Sequence, residues 1–281
     1  MDLTSFKRAA VGRIVAGLCA LCLLSGLLSG CAAPADSDSP NEDALPVIIV
    51  GSDNYPPFNY QDTSGHPTGI DVDLATEAFR RMGYRAQFAT IDWEEKKNLV
   101  ESGAIDCIWG SFSINGREAD YRWSDPYMVS RQVVAVPEDS DITCLADLAG
   151  KRVAVQSTTK PEELLLAHTD PRIPAVGEVF SLQNREAIYP MLSKGYVDAL
   201  AAHETAILQY MADYDLRYRI LDEPLLTVGL GVAFSKNDDR GLERQLSQTF
   251  AEMRADGTME KILGRYLSDP QRFLEVSTDG A

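Results

Sequence analysis

The sequence predicts an α/β protein with two lobes, in which mixed sheets are flanked by helices. Strand-like and helix-like segments alternate along residues 46–267, a rhythm typical of sheets covered by helices. The alternation comes in two sets, one beginning at Pro46 and one near Lys151. The chain has 281 residues, of which 45% are hydrophobic and 24% charged. That composition can fill two cores and excludes a disordered chain or a polytopic membrane protein.

The first set of segments is expected to contain three strands and two helices. Residues 47–50 form a β-branched run that ends at Gly51, as a buried strand should. Apolar residues then recur at helical spacing from Ile70 to Met82, and Gly83 is placed to end that helix. The remaining predicted elements are a strand over 85–90, a helix over 93–102 and a strand over 105–109.

The second set repeats this alternation and ends in two helices. Pro161 suits the first turn of a helix that follows a strand over residues 152–156. A Gly-rich strand over residues 228–235 is predicted as a crossing point between the lobes. The other predicted elements are helices over 184–194 and 205–214, a strand over 198–202, an amphipathic helix around Leu246 and a last helix ending at Leu267.

The N-terminal residues are expected to direct export and membrane anchoring. Residues 1–30 place basic residues before an uncharged run that is too short for a membrane span, which is the layout of an export signal. The run ends in Leu28-Ser29-Gly30-Cys31, which resembles the bacterial lipoprotein box. That resemblance implies that Cys31 becomes the first residue of the mature chain and carries a lipid. Residues 31–45 are small, acidic and interrupted by proline, so they predict a disordered tether.

Charge and composition exclude several classes of partner and cofactor. The formal net charge is −16, so nothing favours binding to a nucleic acid backbone. The three histidines are far apart, no metal-ligand spacing occurs, and no cofactor is expected. Two cysteines remain after the predicted signal and anchor, Cys107 and Cys144. They could pair outside the membrane, although Cys107 lies in an apolar strand and is expected to behave as a small buried hydrophobe.

Four clusters follow predicted strands, where open α/β sheets bind their ligands. They are residues 53–58, Trp93, residues 110–117 and residues 156–160. The planar guanidinium of Arg117 matches a carboxylate, and a threonine loop that opens a helix supplies N–H groups to an anion. Tyr55 and Trp93 could hold a ligand side chain between aromatic faces.

Structural roles compete with these functional ones. Asp53 could cap a turn, the aromatic residues could belong to a core, and Arg117 could pair with Asp120 or Asp125. His203 could equally face a cleft or lie satisfied in the interior.

Several runs together resemble a known protein family. The runs are GSDNYPPFNY, GIDVDLATEAFRRMG, AIDCIWGSFSINGREADYRWSDPYM, GKRVAVQSTTKPEEL, GYVDAL and AEMRADGTMEKILGRYL. They resemble the polar amino-acid family of substrate-binding proteins for ABC importers, over residues 46–267. The resemblance implies a two-lobed periplasmic-binding-protein-like fold that closes around one small ligand. It implies lobes of residues 46–129 with 229–281 and 130–228, with two hinge segments near residues 127–131 and 227–230.

The resemblance also implies a set of ligand-binding residues. Ser111 and Ser113 are expected to meet the amine and carboxylate of the ligand, and Arg117 to clamp the carboxylate. The full set is Asp53, Tyr55, Trp93, Gly110, Ser111, Ser113, Arg117, Thr158, Thr159, Lys160, His203 and Glu204.

This sequence departs from the family pattern at two places. One residue fewer separates Ser113 from Arg117 than the family usually has. The family's ammonium-binding Asp is replaced by His203, with Glu204 next to it. Either Glu204 takes that role, or the ligand is not an ordinary α-amino acid.

The resemblance therefore implies a lipid-anchored, monomeric receptor, not an enzyme. It would deliver a polar amino acid or a related zwitterion to an ABC permease. A sensory receptor for a membrane signalling protein would use the same lobes. A dehydratase on this fold would need a general acid and base facing the ligand, for which His203 and Glu204 are the adjacent pair.

Overall fold

The computed structural model of the protein describes residues 44–275. The predicted export signal of residues 1–30, the predicted lipidation site Cys31 and the tether residues up to 43 lie outside the described residues. Within residues 44–275, no helix combines the length and the apolar character needed to cross a membrane.

Strands and helices alternate along the described chain. The strands are β1 (Val47–Ser52), β2 (Tyr60–Gln61), β3 (Pro67–Thr68), β4 (Arg85–Thr90), β5 (Cys107–Ile108), β6 (Arg122–Trp123), β7 (Met128–Pro137), β8 (Arg152–Gln156), β9 (Glu178–Leu182), β10 (Ala199–His203), β11 (Tyr218–Ile220), β12 (Leu226–Leu230) and β13 (Ala233–Phe234). The α-helices are α1 (Ile70–Arg81), α2 (Lys96–Ser102), α3 (Lys160–Ala167), α4 (Ile188–Ser193), α5 (Glu204–Asp213), α6 (Leu242–Ala255), α7 (Thr258–Leu263) and α8 (Gln271–Leu274). Short 3₁₀ turns cover Trp93–Glu95, Leu145–Leu148 and Arg185–Ala187.

The first sheet has the strand order β4-β1-β5-β13-β6. Strand β1 is parallel to β4 and β5, whereas β13 is antiparallel to β5 and β6. Because alternate residues of a strand point to opposite faces, Cys107 and Ile108 enter different cores. Phe79 of α1 and Phe250 of α6 pack edge-on against Trp109 in one of them. This sheet and its helices are called lobe 1.

The second sheet has the strand order β11-β7-β10-β8-β9, and β12 also pairs with β7. Strands β8, β9 and β10 are parallel to one another, and β7 is antiparallel to its neighbours. Val133 and Val134 are successive residues of β7 and are buried in two separate cores on the two faces. This sheet and its helices are called lobe 2. The mixed sheets covered by helices confirm the predicted two-lobed α/β fold class.

The passage between the lobes departs from the sequence prediction. A single strand over residues 228–235 is wrong, since β12 ends at Leu230 in lobe 2 and β13 lies in lobe 1. Gly231 and Val232 separate them, and a Cβ atom at Gly231 would lie 2.7 Å from the side chain of Ile114. The predicted hinge segments near residues 127–131 and 227–230 run side by side, because β7 and β12 pair in register from Leu226↔Gln132 to Leu230↔Met128. The predicted lobe boundaries remain a prediction.

The two cysteines outside the predicted signal and anchor are free thiols. Cys107 is buried in β5, and Cys144 is half-buried ahead of the 3₁₀ turn Leu145–Leu148. Burial raises the pKa of the Cys107 thiol well above its ordinary value, which suits a small apolar core residue.

Candidate functional site

A cavity lies between the two lobes, and the space there that no protein atom fills, open solvent included, is about 400 Å³. Both lobes contribute side chains to its wall, and most of the residues selected from the sequence are among them. The lining residues are Trp93, Ser111, Phe112, Ser113, Arg117, Gln132, Gln156, Thr158, Thr159, Lys160, Pro161, Arg185, Ile188, Ala201, Ala202 and His203.

The loop after β5 forms the lobe 1 wall of the cavity. A Cβ atom at Gly110 would lie 2.3 Å from Ser52 Oγ, so glycine permits this close approach. Ser111 adopts a left-handed φ of 47°, and its N–H donates to Asp71 Oδ2 at 2.7 Å. Tyr127 donates to the other oxygen of Asp71 at 2.8 Å. The buried Asp71 carboxylate therefore holds the loop in this conformation. The buried Ser111 Oγ has no hydrogen-bond partner in the described chain.

Arg117 projects from this loop towards lobe 2. Its guanidinium donates to two backbone carbonyls, Ser113 O at 3.4 Å and Thr158 O at 3.3 Å. Among residues 44–275, the carboxylate that approaches it is Glu163, at 3.9 Å. Burial lowers the pKa of Arg117, and nearby acidic residues oppose that effect. A largely buried guanidinium with only two long hydrogen bonds is suited to bind a carboxylate by donating to both of its oxygens.

The loop between β8 and α3 forms the facing wall. Thr158 is left-handed, with a φ of 58°, and its N–H donates to Glu162. Thr159 Oγ1 donates to Gln156 O at 2.6 Å. Lys160 is buried and pairs with Glu163 at 2.6 Å. The three predicted residues thus lie in the cavity wall. Two donors expected to bind a ligand, the Thr158 N–H and the Thr159 hydroxyl, already donate to residues 162 and 156 of the same segment.

Lys96 of α2 in lobe 1 contacts this wall and was not selected from the sequence. Its ammonium group donates to Trp93 O at 2.9 Å and to Thr158 Oγ1 at 2.8 Å, so it joins the lobes. Burial, followed by the charge of Arg117, lowers the pKa of Lys96 to about 8. A lysine in a polar, helix-forming run is typical of a solvated helix face, so nothing in the sequence indicates that Lys96 is buried at the site.

Asp53, Tyr55 and Trp93, which were predicted to contact a ligand, lie together around a side chain of the protein itself. Arg185 of lobe 2 donates from Nε to Asp53 Oδ2 at 3.1 Å. Its guanidinium carbon lies 3.4 Å from the centre of the Tyr55 ring and 5.9 Å from that of Trp93. Burial opposes its charge, but the proximity of Asp53 outweighs it and raises the pKa of Arg185.

The sequence carried one indication of this role. Arg185 opens the 3₁₀ turn that leads into α4, and a cation is unfavourable at a helix start. A basic residue in that position is a signal that another interaction holds it.

His203 lies in the cavity wall with both ring nitrogens engaged. Nδ1 is 2.8 Å from Ser130 Oγ, and Nε2 is 2.8 Å from Gln132 Nε2. Burial and then the charge of Arg185 lower the pKa of His203 to about 3, so the ring is neutral at physiological pH. Its backbone N–H donates to Tyr55 Oη at 3.3 Å.

Glu204 does not line the cavity. Its carboxylate accepts from Arg131 at 2.8 Å and from Arg272 at 3.3 Å. Neither residue therefore offers a negative charge to the cavity, because His203 is neutral and the Glu204 carboxylate is paired elsewhere. Of the selected residues, Asp53, Tyr55, Gly110 and Glu204 are not among those that line the cavity, and the structure brings the others together in its wall.

Direct contacts hold the lobes together around the cavity. Ser157 of lobe 2 donates to Glu94 of lobe 1 at 2.6 Å. Gln156 donates to Asp53 at 2.8 Å. Further contacts between the lobes join Asn54 to Glu186 and Gln183 to Asp92. The structure is therefore that of a closed form.

The chain matches the family described as bacterial extracellular solute-binding proteins, family 3, over residues 47–269. The histidine-binding periplasmic protein of Salmonella typhimurium is 32% identical over 235 residues, which cover 79% of this chain and 88% of that protein.

Solved structures of amino-acid-binding proteins have the same fold. An ancestral arginine-binding protein bound to arginine superposes with a TM-score of 0.72 at 26% identity, covering 79% of this chain and 98% of that one. The ancestral amino acid-binding protein AncCDT-1, a precursor of cyclohexadienyl dehydratase, superposes with a TM-score of 0.69 at 25% identity, covering 78% and 95%.

Proposed function

Because the chain belongs to the bacterial extracellular solute-binding proteins, family 3, we propose that it captures an amino acid or a related small polar solute for an ABC-type importer. The observation that carries the proposal is the position of Arg117. It is a buried guanidinium in an interlobe cavity, held by backbone carbonyls alone at hydrogen-bond distance. A carboxylate bound there would gain charge-assisted hydrogen bonds.

Capture and release follow from closure of the lobes. A ligand that contacts lobe 1 through Arg117 and lobe 2 through the Thr158 loop favours the closed form by its differential affinity. The closed form is then the species that the permease recognises. The fold of the dehydratase precursor does not favour an enzyme, because the cavity wall in the described chain holds a neutral, doubly engaged His203 and no carboxylate.

The predicted anchor completes the proposal. A lipid on Cys31, followed by a flexible tether, would keep the two-lobed body close to the permease. Substitution of Cys31 by Ala should move the protein from the membrane fraction to the soluble exported fraction. Continued membrane association of that variant would remove the anchor from the proposal.

A thermal-shift and calorimetric screen of amino acids and small polar solutes tests the capture function. A ligand at 100 times its dissociation constant should raise the free energy of unfolding by about 2.7 kcal/mol. Small-angle scattering should show no expansion on binding, since the bound form is closed. Absence of binding by every solute in the screen would contradict the proposed function.

A further inference from the structure

The cavity wall carries an excess of positive charge. Three cationic side chains line it, those of Arg117, Lys160 and Arg185, and no acidic side chain in the described residues does so. Lys96 of α2 adds a fourth buried cation, which is not in the lining but donates a hydrogen bond to Thr158. Buried charges are costly unless they are paired, so the pairing of these four groups determines what the cavity attracts.

Two of the four cations are compensated by the protein. Arg185 pairs with Asp53 at 3.1 Å, and Lys160 pairs with Glu163 at 2.6 Å. Arg117 and Lys96 have no carboxylate at hydrogen-bond distance among residues 44–275. Glu163, which Lys160 holds at 2.6 Å, lies 3.9 Å from Arg117 and so balances it only in part. Two cations that lack a hydrogen-bonded carboxylate and both contact Thr158 favour a ligand with two negative charges.

No carboxylate of the described residues lines the cavity to balance a ligand ammonium group. The candidate side-chain acceptors there are neutral oxygens of serine, threonine and glutamine, since both ring nitrogens of His203 are already engaged. Glu204 pairs with Arg131 and Arg272. Asp53 Oδ2 accepts from Arg185, and Asp53, whose Oδ1 has no partner among the described residues, is not one of the residues that line the cavity. An ammonium group would therefore lie near Arg117 and Lys96 without a counter-charge, which is unfavourable.

Arg185 also occupies the space beside the rings of Tyr55 and Trp93. A guanidinium stacked 3.4 Å from the Tyr55 ring and paired with Asp53 has the contacts that a cationic ligand side chain would need. A cationic ligand side chain cannot take those contacts while the side chain of Arg185 holds them.

We infer that the cavity selects a small organic dianion of the dicarboxylate class, that it does not require an α-ammonium group, and that Arg185 is the residue that excludes cationic solutes. The inference rests on the proposed function, since it assumes that the interlobe cavity is the capture site. One carboxylate of the ligand pairs with Arg117, and the second lies within the field of Lys96 and Arg185.

Calorimetry on the mature full-length protein tests this with matched probes. Succinate and glutarate are compared with their α-amino counterparts L-aspartate and L-glutamate, with the amides L-asparagine and L-glutamine, and with L-arginine. At least one dicarboxylate should bind as tightly as its α-amino counterpart or more tightly. The amides and L-arginine should bind about 100-fold more weakly, since a buried cation is then left unpaired.

Two variants with a control sharpen the test. Arg185→Ala frees Asp53, Tyr55 and Trp93, so it should gain affinity for L-arginine by about tenfold or more, and improperly folded protein could not show such a gain. His203→Asp should shift the preference towards the α-amino member of each pair by about tenfold, because it introduces a counter-charge. Arg152→Ala, which breaks an exposed pair with Asp198, should leave every affinity unchanged.

The outcomes separate this inference from the proposed function. Tighter binding of an amide or of L-arginine than of every dicarboxylate would overturn the inference and leave the capture function standing. Binding of none of the probes by the wild type would also overturn the inference. If no solute in the broader thermal-shift and calorimetric screen bound either, the proposed capture function would also be contradicted.

Discussion

Arg117 is the residue at which a single substitution should affect binding most directly. Arg117→Ala removes a guanidinium that only backbone carbonyls hold at hydrogen-bond distance, so a bound carboxylate loses its partner. We expect binding to weaken by about 2–5 kcal/mol in calorimetry. Arg152→Ala, in the exposed pair with Asp198, is the control and should change affinity little. An unchanged affinity of Arg117→Ala would remove this residue from the site.

Asp71 should make the stability of the protein depend on pH. Burial raises the pKa of its carboxyl from 3.8 to about 7, although hydrogen bonds from Ser111 and Tyr127 partly oppose this. The folded protein therefore binds the proton more tightly than the unfolded chain does. The stabilising contribution is complete below the unfolded pKa and is lost as the pH rises to about 7.

The loss should be on the order of 4 kcal/mol between pH 4 and pH 8. Urea unfolding of Asp71→Asn should show a flatter dependence over this interval than the wild type, because the variant has no proton to lose at that position. Parallel curves for the two proteins would show that Asp71 titrates normally.

Individual site residues could be predicted where the chain places them in a local pattern. Asp53 and Tyr55 follow β1, and Ser111 follows β5, the strand beside β1 in the sheet, so their types and positions pointed to one edge of that sheet. Arg185 and Lys96 could not be predicted in the same way. Their roles depend on the register between two lobes, and that register is set by contacts distant in sequence, such as Arg185 with Asp53.

At the scale of secondary-structure elements, the start of α1 depends on one backbone conformation. Gly69 has a φ of +126°, and a Cβ atom there would lie 2.3 Å from the carbonyl oxygen of Phe58. Gly69→Ala should lower the free energy of unfolding by about 1–3 kcal/mol for strain alone, and further because of the clash with backbone. The measurement is chemical denaturation.

Gly65 supplies the matched control for this prediction. It also has a positive φ, +82°, but an added Cβ atom would meet nothing within 4 Å. Gly65→Ala should therefore cost only about 1 kcal/mol. Equal losses for the two variants would mean that the approach to Phe58 is not what requires glycine at position 69.

Elements with a clear period were predicted well, and those at the join between the lobes were not. Strand Arg85–Thr90 has the bounds that its alternation indicated, and α1 ends next to Gly83 as expected. The run 228–235 reads as one strand because a change of sheet leaves the apolar pattern uninterrupted. Strand β7 was not predicted, since its first residues were interpreted as a hinge alone.

At the scale of the whole molecule, a single hydrogen bond should influence the balance between open and closed forms. Ser157 of lobe 2 donates to the carboxylate of Glu94 in lobe 1, and bonds to charged groups contribute about 1.5–3 kcal/mol. Ser157→Ala should increase the radius of gyration of the ligand-free protein in small-angle scattering. Saturation with ligand should restore the closed dimensions.

Ser193→Ala is the corresponding control, because Ser193 Oγ bonds to Pro190 O within lobe 2. Its scattering should match that of the wild type with and without ligand. Expansion of both variants, or of neither, would show that the bond between Ser157 and Glu94 does not hold the lobes together.

The direct hydrogen bonds between the lobes have a consequence for the rate of uptake and for its consumption of ATP. If the protein serves an importer as proposed, a receptor that shuts on its own side chains offers the permease an unloaded copy of the recognised shape. Ligand-free receptors then compete with ligand-bound receptors for the same surface of the permease. Transport would fall when receptors greatly outnumber permeases, and some ATP would be consumed without solute crossing the membrane.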